Sequence, residues 1–590
     1  MLFPRNQLPL LCTVKTMNIW RSIKRRVHFD GAKSGVSTIR TGSSLGETRF
    51  SSGAVRVLAV VILASMSFAA RGTQEVETEV CVYGGTSGGV IAAVQAARMG
   101  KSVALLVMND HLGGMTAGGL GQTDIGRFGD SYIQGVAREF YVRVGRKYGT
   151  GARFTFEPHV AEAVFVELAR QAGVSVYTNQ YLASVTMSGR RIVAAHTSNG
   201  DIFRARMFID ASYEGDLMAG AGVSYAVGRE ATNRFNEEYN GVRPPNTGGH
   251  QFGTLRVNPY QVPGDPASGF VPLIQAAPPA IPGTGDRQVQ AYNFRMCLTR
   301  ADTNKVAITA PPNYSPKQYE LLGRYIQALL TANRKISLGT FMNVSAMPNG
   351  KTDINNNGPV STDFIGESTP YVEGDAATRQ RIWLAHQYYL QGFFYFLATD
   401  LRVPANVREA MSAYGLCKDE FVDNHGWPHQ LYVREARRMI SDYVMTQSNC
   451  LGQAIAPDSV GLAAYAMDSH NSRRVVVNGW AENEGDTYNL TNLPEVYPVS
   501  YRSLVPKSVE CTNLLVPWCL SATHIAFGSI RMEPVFMILS QSAATAACIA
   551  INDGVAVQNV NIAELQARLV ADGQCLQPQP KSGSAGPGGR

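Results

Sequence analysis

The chain has 590 residues with 17% charged and 45% hydrophobic side chains, a balance that excludes a disordered polypeptide and fits two or three packed domains. The formal charge of +7 is concentrated at one end: residues 1–70 hold ten Lys/Arg against two Asp/Glu, a net of +8 that leaves −1 on the rest. The basic pI is therefore no argument for nucleic acid as a partner.

In chain order, Arg56 precedes an apolar run at 57–70 (VLAVVILASMSFAA) that ends in the small residues Ser67, Ala69 and Ala70. A charged region, an apolar region and a small-residue site make a secretory signal, and the run is shorter than the roughly 20 residues that span a bilayer. Residues 1–70 are read as the presequence of a secreted or periplasmic protein, with an uncleaved N-terminal membrane anchor as the alternative. The Arg- and Ser-rich, acid-poor first fifty residues also fit an organelle transit peptide.

Residues 79–83 (EVCVY) predict a buried strand, 84–89 (GGTSGG) a turn, 87–99 an Ala- and Val-rich helix, and 102–107 a second buried strand. Strand, turn, helix and strand within about thirty residues have the size of a βαβ unit. In a dinucleotide fold this turn must be tight and must let backbone approach a pyrophosphate at the helix start. Gly84, Thr86 and Gly89 hold the three fingerprint positions, with Gly85, Ser87 and Gly88 between them; Thr86 is a departure, because the middle position calls for glycine. The acid expected at the end of the second strand is replaced by Val107, which leaves Asn109 or Asp110 for the ribose hydroxyls.

A Gly-rich loop follows at 112–129, then a helix at 157–172, antiparallel strands across 174–208 with a turn at Ser188-Gly189, and a buried strand at 207–211. From 231 to 445 Pro, Asn and Gly become frequent and an aromatic-rich helix is predicted at 377–397, which reads as an inserted domain. Buried strands return over 446–570 with a long small-residue helix at 534–552, and residues 571–590 read as a disordered tail.

The nine cysteines contain no CxxC pair, so no metal site is expected from them. Cys511 with Cys519 is a possible disulfide in an exported protein. His425 and His429 flank Trp427 and suggest a substrate wall more than a metal site. Arg434, Arg437 and Arg438 fall on one face of a predicted helix, either as a solvated basic face or as a grip on an anionic substrate.

Taken in order, EVCVYGGTSGGVIAAVQAARMGKSVALLV, HLGGMTAGGLGQTDIG, FIDASYEGDLMAGAGVSYAVGRE, PNGKTDINNNG, DSHNSRRVV and HIAFGSIRMEPVFMILSQSAATAA resemble the FAD-dependent oxidoreductase family with the glutathione-reductase-type flavoprotein fold. Some members resemble the flavin subunit of heterodisulfide reductase; others are labelled xanthan lyase. The resemblance implies an α/β fold: an FAD/NAD(P)-binding, Rossmann-like three-layer domain, discontinuous over 76–230 and 446–570, with 231–445 inserted as a substrate or cap domain. It implies FAD as cofactor, gripped at Gly84, Gly85, Thr86, Ser87, Gly88 and Gly89, with Asn109 near the ribose. Gly113, Gly114, Met115, Gly118 and Gly119 would wrap the ribityl–pyrophosphate part, and Asp210 and Ala211 would lie near the pyrophosphate. Pro534 opens the helix that would reach the flavin, and Ser540 stands in it where relatives often have Gly. His524 and Arg531 are the catalytic candidates, ahead of His470 and Tyr501. The implied reaction is hydride transfer between a small organic substrate and flavin, with the electron acceptor unassigned; export favours oxygen, a quinone or an electron carrier. Two other readings stay open: a polysaccharide-directed lyase or carbohydrate-binding protein, and a flavoprotein fold without activity.

Overall fold

The computed structural model describes residues 72–126, 129–488 and 496–578, so the presequence and the tail beyond 578 lie outside the described residues. Strand β1 (Glu75–Tyr83) is apolar and buried over its last four residues, as a central strand must be. It pairs in parallel with β2 (Val103–Leu106) on one side, and β2 pairs in parallel with β3 (Ser175–Tyr177). Strands β4 (Leu182–Ser188) and β5 (Arg191–Thr197) form an antiparallel hairpin around the predicted turn. Strand β6 (Ile202–Asp210) then returns parallel to β1, with Tyr83 opposite Asp210, and Leu514–Leu515 adds in parallel to its far edge. The expectation of antiparallel strands across 174–208 therefore holds only for the β4–β5–β6 part; β3 and β6 lie parallel to their inner neighbours. Alternation of side chains reports which faces are buried and carries no information on strand direction.

Helix α1 (Ser87–Arg98) starts just after β1 ends, and its first ten residues, Ser87 to Ala96, are all buried. It is covered by α2 (Pro158–Ala172) and by α4 (Glu533–Asp553), which follows α3 (His524–Ile530). Helix α4 is long and apolar enough to cross a membrane, yet it is wholly enclosed and serves as a core helix. A five-stranded antiparallel sheet drawn from Met342–Ala346, Lys351–Asn356, Met296–Thr299, Gly415–Cys417 and Lys305–Ala307 lies in the middle of the chain, with a 24-residue helix at Ala376–Thr399.

Three sequence expectations are corrected. Residues 432–439 form no helix: Tyr432 bridges to Asn293, and Arg438–Met439 pairs with Tyr225–Ala226. The side chains of Arg434 and Arg438 are fully buried and that of Arg437 nearly so, each against its own carboxylates: Asp363 for Arg434, Asp216 for Arg437, Glu230 and Glu435 for Arg438. Helical spacing of three arginines imitated a solvated face, while the carboxylates that bury them come from distant segments. Cys511 and Cys519 are free thiols that reach Asn513 and the Ser212 and Tyr213 carbonyls respectively. The expected tail is built into the structure as far as 578: Ser459 donates to the Leu576 carbonyl and Gln574 to that of Ile538.

Candidate functional site

The site is built around the turn between β1 and α1. Gly84 sits at φ +114°, a conformation that disfavours a side chain, with the Ala211–Ser212 backbone against it. A Cβ at Gly89 would run into the Gly84 carbonyl oxygen. Thr86, the apparent departure from the fingerprint, is the N-cap of α1: its Oγ1 accepts from Gly89 N at 3.0 Å and donates to the Ala211 carbonyl at 2.7 Å. Val107 packs on Gly85, so the end of β2 closes the turn with an apolar contact.

Beside this turn runs a groove lined by Gly85, Thr86, Asn109, His111, Gly114 and Gly118. It meets a cavity of about 1150 Å³, lined among others by Asn109, Asp110, Tyr181, Glu214, Trp383 and His429. Both lie beyond the carboxyl ends of parallel strands, where open α/β sheets bind ligands. The first N–H groups of α1 have no partner within the helix and are turned to this end. A tight glycine turn at a helix start with an adjoining cavity fits the pyrophosphate and ribose of a dinucleotide.

The second Gly-rich segment docks on the first: Gly113 N donates to the Gly85 carbonyl at 2.8 Å. Gly118 and Gly119 are pressed against Gln430 and the Arg295 backbone, so at those positions glycine admits protein. Met115 N donates to the Tyr213 hydroxyl. Asp210 is buried and accepts from Ser212 and Met218 N, a turn cap, with burial pushing its carboxyl up to about 6. Ala211 meets the phosphate turn through its backbone. Ser540 packs its Oγ on Gly88, between two helices, away from both cavities.

One residue that the sequence reading did not place in the site joins these parts. Glu533, at the start of α4 next to Pro534, is 4% exposed and accepts from Ser87 Oγ, Thr116 Oγ1 and Tyr213 Oη. No cation pairs with it among the described residues, and burial pushes its carboxyl up to about 7. Two residues earlier, Arg531 is buried with Nη2 at 2.8 Å from Asp468 and Nη1 at 3.0 Å from the Tyr432 hydroxyl. Its Nε has no hydrogen-bond partner among the described residues.

Asp468 leads into a buried polar network. His470 Nδ1 lies 2.7 Å from Asp363 and its Nε2 3.5 Å from Asp468, and Arg434 meets Asp363 at 2.9 Å. Burial raises the Asp468 carboxyl, but His470 and Arg531 overcome it and hold it far below the usual range. Burial and Arg434 oppose protonation of His470; Asp363 and Asp468 outweigh them and raise it. Asp124, from the Gly-rich segment, faces Arg295 and Arg531 and is raised by burial.

His524 is enclosed elsewhere, with Nδ1 2.7 Å from Glu435 and backbone N bonded to Glu230. It opens α3 and Arg531 closes it, so about 10 Å of helix separates the two candidates. Tyr501 donates to the Val557 carbonyl inside the core. His429 stacks on His111 at 3.4 Å between centroids, and both reach Asp423. Two near-parallel imidazoles cannot aim their nitrogen lone pairs at one point, and the neighbouring Glu157/His159/Glu420 group already holds the Lys351 ammonium at 2.7 Å.

The sequence profile described as FAD dependent oxidoreductase matches residues 79–569. The chain belongs to the FAD-dependent oxidoreductase family. Its cofactor is FAD. A search of curated protein sequences finds no match. Among solved structures, similarity is found to the 3-ketosteroid-Δ4-(5α)-dehydrogenase of Rhodococcus jostii RHA1 (15% identity, 25% of this chain and 49% of that one, TM-score 0.18). It is also found to THI4 of Thermovibrio ammonificans (21%, 31% and 76%, TM-score 0.21) and to a flavoprotein/dehydrogenase of Cytophaga hutchinsonii (14%, 25% and 42%, TM-score 0.20). The chain thus spans about half of the Rhodococcus enzyme it matches.

Proposed function

We propose that this FAD-dependent oxidoreductase is an exported enzyme that moves a hydride between a small organic substrate and FAD, with the substrate reacting beside Arg531, Tyr432 and the Asp468–His470 pair. The observation that carries the reading is the short segment 531–533. At one end Glu533 reaches the start of α1 at the phosphate turn; at the other Arg531 reaches the Asp468–His470–Asp363–Arg434 network. A cofactor held at the turn and extending along this segment would meet that network with its far end.

Bound FAD supplies the two-electron acceptor or donor. The chain's own groups divide the remaining work. The α1 start and the glycine turn hold the pyrophosphate. Arg531 provides a fixed cation whose unpartnered Nε can take an anionic oxygen. His470, buried between two carboxylates, is positioned to hold or release a proton at Nε2, while Asp363 fixes its ring through Nδ1. The region 231–445, with the aromatic helix over the cavity, covers the site as a cap. Export is supported by Arg56 and the apolar run 57–70, and protein isolated from its source should begin near Ala70 or Arg71.

The test is Arg531→Ala in purified, FAD-loaded protein. Flavin content should stay near wild type, because pyrophosphate contacts lie at the other end of the segment. The midpoint potential should fall, because a nearby cation favours the anionic reduced flavin. An unchanged potential would place Arg531 away from the flavin and end the assignment.

A further inference from the structure

Cys297 and Cys417 stand apart from the FAD site and from every motif the sequence reading used. They face each other across two antiparallel strands. Gly415 pairs with Thr299 and Leu416 with Leu298, so the next step of the ladder sets Cys417 opposite Cys297. Directly opposed residues in such a pair have Cα atoms about 4.5–5.5 Å apart, inside the range that a disulfide needs. The two sulfurs are 3.6 Å apart, both residues are 1% exposed, and their immediate apolar neighbours are Met347 and Phe421.

We infer that Cys297 and Cys417 are a built disulfide site, open as two thiols in the reduced protein and closed when a small disulfide such as oxidised glutathione is available. Closure needs about 1.5 Å of approach between sulfurs to reach a bond of roughly 2.05 Å, a movement that side-chain rotation supplies without displacing the strands. One cysteine thiolate attacks oxidised glutathione, forms a mixed disulfide and releases one glutathione thiolate. The second cysteine attacks that mixed disulfide and releases the other. The two cysteines lose two protons and two electrons, and one glutathione disulfide becomes two glutathione thiols. Burial and the mutual S–H contact hold the Cys297 thiol in its protonated, unreactive form, so exchange proceeds through local opening of the strand pair.

The bond would staple a functional wall. Three residues after Cys417, Glu420 grips Lys351 and His159, and the chain continues through Asp423 and His429 to Gln430, which line the FAD-side cavities. Two residues before Cys297, Arg295 makes its double contact with Asp353 and supports Gly119. A cross-link over 120 positions restricts the unfolded chain strongly, which favours a large stabilisation.

Purified full-length protein is equilibrated with reduced and oxidised glutathione in urea just below its unfolding transition, returned to buffer, alkylated under denaturing conditions and peptide-mapped. The expected result is a peptide linking Cys297 to Cys417 that disappears with reductant. The oxidised protein should melt about 4–5 °C above the reduced one, and Cys417→Ser should remove that difference. Alkylation of both cysteines in oxidised protein, stable glutathionylation of either, or a link from either to another cysteine would overturn the site. A correct link with no change in melting would overturn the staple. If Cys417→Ser does not fold, the wild-type map decides alone.

Discussion

Among the described residues Glu533 is a carboxyl surrounded by three hydroxyls and no cation, where the glycine turn, the second glycine loop and α4 meet. Its ordinary value of 4.5 is raised to about 7 in the folded protein, so between these pH values the native state holds a proton that the unfolded chain has released. The stabilisation from this group is complete below pH 4.5, falls as pH rises toward 7, and is gone above it. Glu533→Gln keeps the shape and removes the titration. Urea unfolding should find the variant and wild type alike below pH 4.5, with the variant gaining on the order of 2–3 kcal/mol by pH 8. Parallel stability profiles for the two proteins would refute this account. Sequence reading gave Pro534 a place in the site and Glu533 none, because the partners of Glu533 stand 446, 417 and 320 positions away. By contrast the turn itself was legible in Gly84, Thr86 and Gly89, since the cap from Gly89 N to Thr86 and the approach of Gly89 to the Gly84 carbonyl lie within a few residues.

At the scale of elements, α1 and α4 approach as closely as Gly88 allows. A Cβ there would collide with Ser540 Oγ, whereas Ser540 Cβ lies at 3.4 Å, an ordinary contact. The Oγ itself has no hydrogen-bond partner. Gly88→Ala should therefore destabilise the protein by about 1–3 kcal/mol through overpacking. Ser540→Ala alone should cost little, and the double variant should recover most of the loss. The coupling energy of that cycle, measured by denaturant unfolding, checks the contact; strict additivity would show that the helices do not meet here. The elements α1, α2 and α4 were readable because each carries a local signal: a glycine turn before α1, Gly173 after α2, Pro534 opening α4. The segment 432–439 carries a helical signal too, and it is extended. Its arginines answer to Asp363, Asp216 and Glu230, which no local pattern reveals.

For the whole molecule, the proposed FAD site is assembled from pieces that lie far apart in the chain: the turn at 84–89, the loop at 113–119, His429 and Gln430, and the start of α4. Each piece is anchored to another by few bonds: Gly113 to Gly85, Ser87 and Thr116 to Glu533. A cofactor that touches several of them adds contacts present only in the folded state. FAD should therefore stabilise the protein against unfolding by mass action, by about 2.7 kcal/mol at one hundred times its dissociation constant. In a chain of this size that is a rise of several degrees in melting temperature, growing with FAD concentration. Gly89→Ala separates this effect from general folding. Its Cβ meets the Gly84 carbonyl, so the turn must open, while the sheet and the helices behind it keep their own cores. The variant should keep a cooperative transition and near-native circular dichroism, show no FAD-dependent shift, and be isolated colourless. A Gly89→Ala protein that is yellow and shifts with FAD as the wild type does would move the cofactor away from this turn, and with it the reading of Glu533 and Arg531 as the link between the cofactor's two ends.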